Sequence, residues 1–190
     1  MKKIHWAEFS FFDVGEDGTC IHTLRKYDFN FLLLCMFEPI PLNLPPYSSK
    51  ITQKLNKFFI FDELRKKDLV LTPEEWVRQH WVNYLHKHKG YPKSLMHIEG
   101  GLKLNTLQKR SDLLVFNNCG EKILLAEFKS PTVKITEKVF QQIANYNSVH
   151  RIPFLIVSNG LEHYYCRIYF EENRFEFLPE LPNYNSVLNL

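Results

Sequence analysis

The sequence predicts an α/β fold in which a mixed central sheet is flanked by helices. Three observations carry this. Residues 110–129 read as two apolar arms joined by a polar turn; two amphipathic helical patterns bracket them; and Phe154 to Val157 is short and wholly apolar, as a strand buried on both faces would be.

The order of elements follows from local signals. Phe58 to Phe61 and Leu69 to Leu71 form a small hairpin across a charged turn. Thr72-Pro73-Glu74-Glu75 then marks a helix start: Thr72 is the N-cap, Pro73 suits the first helical position, and Glu75 stands where a capping-box glutamate reaches back to the cap nitrogen. This leaves Glu74 free. The helix runs to about Lys89 with Val77, Trp81, Tyr84 and Leu85 on its apolar face, and Gly90 supplies the stop. Residues 95–104 fit a strand with a bend at Gly100-Gly101, and the hairpin of residues 110–129 follows. A second helix covers about Thr136 to Val149 with Val139, Phe140 and Ile143 inward. Phe154 to Val157 comes next; Asn159-Gly160 turns the chain into a strand from Glu162 to Phe170, and Arg174 to Phe177 adds an edge strand. From Thr72 on, the order is helix, three strands, helix, two strands.

At 190 residues the chain suits one domain with extensions, and the expected boundaries are residues 1–56, 57–178 and 179–190. The first segment is poorly patterned. Pro39, Pro41, Pro45 and Pro46 break it, and two readings stay open: an extra strand or arm on the domain, or a natural start at Met36 with low order before about residue 36. The last segment reads as a polar, loose tail. Hydrophobic residues at 45% and charged residues at 24% are ordinary for a globular protein, and a net charge of +3 is too small to imply a polyanion partner without a local basic patch. Cys20, Cys35, Cys119 and Cys166 form no CxxC pair, which argues against structural zinc and fits reduced thiols in the cytoplasm. The run from Phe29 to Phe37 is far below the roughly 20 residues of a membrane helix, so no membrane partner is expected.

Chemistry concentrates in the hairpin. Folding it about Cys119/Gly120 sets Phe116 against Ile123, Leu114 against Leu125 and Asp112 against Glu127, with Lys129 one pleat beyond Glu127 on the same face. Opposed carboxylates repel unless a cation stands between them. A divalent metal such as Mg²⁺, with Mn²⁺ as a substitute, would bind these hard oxygens, acidify a water and offset charge on a phosphate, while Lys129 positions that water or, with a lowered pKa, acts as a base. Each residue alone also has a plain structural reading, Asp112 as a strand-start residue and Glu127 as a solvated one. Glu74 either supports the metal site or pairs with Arg78 four residues on. Lys109, Arg110, Lys134 and Lys138 form either a phosphate track or a solvated rim. Glu99 either joins the site or takes a surface strand position, and Trp76 and Trp81 suit the core.

Thr72 to Gln79, Arg110-Ser111-Asp112, Glu127-Phe128-Lys129 and Gln142 to Tyr146 resemble the nuclease domain at the N-terminus of the restriction (R) subunit of type I restriction enzymes. That family is a branch of the PD-(D/E)xK superfamily, and the resemblance covers roughly residues 57–170. It implies a restriction-endonuclease-like core (αβββαβ) and Mg²⁺-dependent DNA cleavage, with Asp112 and Glu127 as metal ligands, Lys129 as the catalytic lysine, and Glu74 contributing from the first helix. It also implies supporting roles for Arg110, Lys134, Gln142 and Tyr146, the last two matching a Gln-xxx-Tyr element. No Gly-x-x-x-x-Gly-Lys loop occurs, so ATP-driven translocation is not expected of these residues. A stand-alone nuclease-like domain is expected, with DNA delivered by a separate motor or specificity protein, by oligomerisation or by its own weak affinity. The alternative is a non-catalytic nucleic-acid-binding or assembly module on the same fold.

Overall fold

A computed structural model describes residues 40–55, 57–98 and 112–189, and the backbone of residues 7–14 and 20–27. The chain divides into two compact units, Met1–Ile40 and Pro41–Leu190. In the first, β1 (Ala7–Val14) and β2 (Cys20–Tyr27) pair antiparallel from Ala7↔Tyr27 to Val14↔Cys20. This hairpin was not resolved into strands from the sequence, and the rest of the stretch expected to be of low order lies outside the described residues.

The second unit opens with a three-stranded antiparallel meander, β3 (Ile51–Lys54), β4 (Lys57–Asp62) and β5 (Lys67–Val70). The predicted hairpin is β4–β5; β3 adds a strand on its other side, with Ile51 opposite Ile60. Asp62, fully buried, closes the β4–β5 turn by accepting from the Leu64 and Arg65 amides at 2.8 and 2.9 Å.

Next comes α1 (Pro73–Lys87). Thr72 Oγ1 accepts from the Glu75 amide at 3.1 Å, as the cap signal predicts, and Gly90 takes the positive φ of 74° that ends the helix. A short 3₁₀ turn leads to β6 (Met96–His97), which is all of the expected strand at 95–104 among the described residues; Glu99 and the Gly100-Gly101 bend lie outside them. Then follow β7 (Leu113–Phe116), β8 (Lys122–Phe128), α2 (Glu137–His150), β9 (Phe154–Ser158), β10 (His163–Tyr169), β11 (Arg174–Leu178) and a short α3 (Tyr184–Leu188). The six strands β6 to β11 form one sheet in the order β11-β10-β9-β8-β7-β6. β8 and β9 run parallel and the other neighbours antiparallel, so the sheet is mixed and the fold is α/β as predicted.

Side-chain alternation divides this sheet into two apolar faces. Leu113, Val115, Leu124, Ala126, Phe128, Phe154 and Ile156 meet Val77, Trp81, Val82 and Leu85 of α1. Leu114, Leu125, Leu155 and Val157 meet Ile143 of α2, with Val139 and Phe140 packed against them. Covered on both sides, β9 reads as the unbroken apolar run seen in the sequence.

The expected loose tail is not loose. Leu181, Tyr184 and Val187 are buried in the α1-side core, the Tyr91 hydroxyl donates to the Pro182 carbonyl at 3.0 Å, and the Tyr184 amide donates to the Lys89 carbonyl at 2.9 Å. Three apolar residues spaced by three turn one side of this segment inward. Burying each contributes about 1.5–3 kcal/mol, enough to hold it down.

Candidate metal and nuclease centre

The hairpin β7–β8 brings the predicted carboxylates to one end of the sheet. Leu114 pairs with Leu125 as expected and Leu113 with Ala126, so the same register carries Asp112 toward Glu127 just past the last paired residue. At the turn end the predicted pairing of Phe116 with Ile123 is wrong: a bulge after Val115 sets Phe116 against Lys122. Its cause is local. Asn117 Oδ1 accepts from the Cys119 and Glu121 amides, both at 2.9 Å, and Gly120 takes φ 81°, which uses one more residue on the β8 side than a symmetric fold would.

Asp112 is held from two directions. Its Oδ2 accepts from the Phe128 amide at 2.6 Å, and its Oδ1 from Arg78 Nη2 at 2.6 Å. Glu127, 8% exposed, accepts from Lys129 Nζ at 2.5 Å. Glu74 reaches the same cluster from the first turn of α1, where its Oε1 accepts from Arg78 Nη2 at 3.2 Å. Glu74 thus makes the i, i+4 pair with Arg78 and also feels the charge of Asp112.

The electrostatics follow from crowding. Burial, and then the neighbouring Asp112, push the Glu127 carboxyl up to about 7 against the pull of Lys129. Burial and Asp112 likewise raise Glu74. Burial favours the neutral amine of Lys129, but the bond to Glu127 and the charges of Glu127, Asp112 and Glu74 outweigh it, so its pKa is raised. Without a cation the ammonium form is therefore favoured.

Glu75 corrects the capping-box expectation. Its side chain does not turn back to Thr72; it is buried, bonded through Oε2 to Arg78 Nη1 and through Oε1 to Gln79 Nε2 at 2.8 Å and Arg65 Nη2 at 3.4 Å. Arg65 in turn bonds Asp62 Oδ2 through Nε. Arg78, Glu75 and Arg65 were not singled out from the sequence as site residues. The spacing of Arg78 from Glu74 and Glu75 signalled a helix-surface pair, but nothing local indicated a reach of 34 residues to Asp112.

Lys134 and Lys138 are exposed on the approach to α2 and in its first turn. Gln142 and Tyr146 lie on α2, one turn apart, with side chains outside the described set, as are Lys109 and Arg110 altogether. Among the described residues no group of three or more His, Cys, Asp or Glu is arranged to hold a metal ion. Among the described residues, Asp62, Glu74, Glu75, Asp112 and Glu127 are linked with Arg65, Arg78 and Lys129, which leaves two negative charges in excess within this set when all are ionised. Hard carboxylate oxygens with that excess match the chemistry of Mg²⁺, which usually takes one or two carboxylates and fills its remaining positions with water and substrate phosphate.

A mixed α/β domain with a part-buried carboxylate–lysine cluster at the end of its central sheet is the class that fold and site define. Residues 73–182 match the family described as type I restriction enzyme R protein N terminus (HSDR_N), and the chain belongs to that family. Among solved structures it is similar to a fragment assigned to the HsdR subunit of a type I restriction enzyme from Vibrio vulnificus YJ016, at 17% identity and a TM-score of 0.45. That match covers 63% of this chain and 25% of the other, so the chain spans about a quarter of the length of the solved chain. No curated protein sequence matches. No helix among the described residues is long and apolar enough to cross a membrane.

Proposed function

We propose that this chain is a metal-dependent deoxyribonuclease domain with a restriction-endonuclease-like core, serving a cytoplasmic restriction or defence system. The observation that carries the reading is the meeting of Asp112, Glu127 and Lys129 at adjoining strand ends, with Glu74 and Arg78 from α1 beside them. Family membership supports it.

Asp112 and Glu127 would hold Mg²⁺, which when bound supplies a Lewis acid for the phosphate and an acidified water. The Phe128 amide keeps the Asp112 carboxylate facing the sheet end. Glu127 keeps a proton on its carboxyl up to about pH 7 without a cation, so it must lose that proton to serve as a ligand. Without a cation Lys129 is an ammonium and donates, which suits it to orient a water or hold a phosphate oxygen; to act as a base it would need the lowered pKa that a bound cation favours. Exposed Lys134 and Lys138, and with them Arg110, would contact the DNA backbone; such contacts position DNA without reading its sequence. Gln142 and Tyr146 would support the site from α2. Delivery of DNA would fall to a separate motor or specificity protein.

The test is cleavage of supercoiled plasmid by the pure chain with Mg²⁺ or Mn²⁺, alongside Asp112→Ala and Lys129→Ala. Nicking or linearisation by the parent, lost in both variants, is expected. No cleavage of supercoiled, linear or single-stranded DNA, together with no metal binding, would leave the non-catalytic binding or assembly module as the better account.

A further inference from the structure

We propose that Arg78 is a positioning residue that occupies the cation's place on Asp112, and that Glu75 tethers its guanidinium so that Asp112 can exchange Arg78 for the cation without Arg78 leaving the site. The proposal rests on the metal-dependent reading above and adds a residue and a step to it.

Arg78 divides its donors unequally. Nη1 is committed to Glu75, while Nη2 is shared between Asp112 Oδ1 at 2.6 Å and Glu74 Oε1 at 3.2 Å. Nε is buried and has no hydrogen-bond partner among the described residues. The fork is therefore pinned at one tine, and swinging Nη2 off Asp112 breaks no bond at the other two nitrogens.

The tether is the stronger side. Glu75, with its side chain 8% exposed, is also gripped by Gln79 and Arg65, and Arg65 is anchored on the fully buried Asp62 at the β4–β5 turn. A continuous chain of Asp62, Arg65, Glu75, Arg78 and Asp112 thus runs from the small sheet to the candidate ligand. Pulling Arg78 out would leave Glu75 short of a partner in a buried setting, which is costly; releasing Asp112 to a cation leaves no charge unmatched.

Asp112 is built for such an exchange. The bond from the Phe128 amide holds Oδ2, so the carboxylate keeps its orientation while Oδ1 changes partner. Glu74 is 46% exposed in its side chain and shares the same Nη2, so it is free to follow the cation. A guanidinium in this position keeps like charges from repelling one another before loading, at the expense of competing with the metal.

Mn²⁺ titration of the full chain by calorimetry tests this, comparing the parent with Arg78→Gln. Removing a competitor is expected to tighten Mn²⁺ binding by about threefold or more, since a positive charge a few ångströms from the ion no longer opposes it. A purely structural Arg78 would instead weaken binding when lost. Equal or weaker binding by a folded Arg78→Gln overturns the proposal while leaving metal binding intact. Should that variant fail to fold, ¹⁵N NMR of the parent's Arg78 guanidinium during a Mg²⁺ titration decides: signals that move with the binding midpoint support the exchange, and signals that stay still overturn it. Absence of Mn²⁺ and Mg²⁺ binding by the parent overturns both the exchange and the metal-dependent reading beneath it.

Discussion

The two ends of the β7–β8 hairpin are both polar and are closed by opposite means. At the turn, Asn117 satisfies amides two and four residues away, and its neighbours Asn118, Cys119 and Gly120 are exposed. At the open end, Asp112 bonds partners 16 and 34 residues away, and Glu127 lies buried beside Lys129. The turn is cheap, local and tolerant. The open end collects charge that its surroundings only partly balance, which is the arrangement expected where a binding partner completes the set.

Substitutions separate these ends. The largest stability effect is expected for Glu75→Ala, which removes the carboxylate that Arg78, Arg65 and Gln79 share while leaving Arg78 on Asp112 and Arg65 on Asp62. Thermal or urea unfolding should show a loss of about 3 kcal/mol. Asp112→Ala should lower Mg²⁺-dependent plasmid cleavage by about 100-fold or more, equivalent to about 3 kcal/mol of transition-state stabilisation.

Glu127→Gln tests the electrostatics of the open end through pH. The parent's folded carboxyl titrates at about 7, above its ordinary value of 4.5, so between those limits the folded state holds more protons than the unfolded state. Without metal, this residue's contribution should therefore make the protein less stable as pH rises through that window, by roughly 1–3 kcal/mol, and the amide variant should lose that part of the slope. Urea unfolding of both proteins at pH 5 and pH 8 measures it; an identical slope would contradict the buried, crowded environment. The smallest effect belongs to the turn. Asn117→Ala should cost about 1 kcal/mol by urea unfolding and leave metal affinity unchanged.

This contrast also explains what was legible in the sequence. Leu114 opposite Leu125 could be read because strand periodicity and a turn signal act over a few residues, and the register then carried Asp112 to Glu127. Phe116 opposite Lys122 could not, because the bulge depends on which oxygen of Asn117 the turn amides reach. The Thr72 cap was visible, but the fate of Glu75 was not: a cap and a buried ion pair need the same residue at the same place, and only the position of Arg65, from another sheet, decides between them. The tail was misread for a related reason. Leu181, Tyr184 and Val187 are diluted by Pro and Asn, and their common direction emerges only once the Tyr91 hydroxyl donates to the Pro182 carbonyl and the Tyr184 amide to the Lys89 carbonyl.

The bond from the Phe128 amide to Asp112 makes chemistry and folding share one rung. Asp112 stands just beyond the end of β7, where its side chain supplies the acceptor that the finished strand no longer offers to β8. The exchange rate of that single amide hydrogen is thus a built-in gauge of the carboxylate's orientation. It should stay slow while a metal replaces Arg78, and speed up when Asp112 is shortened to alanine, so one proton can distinguish a site that has changed partners from a sheet that has begun to unzip.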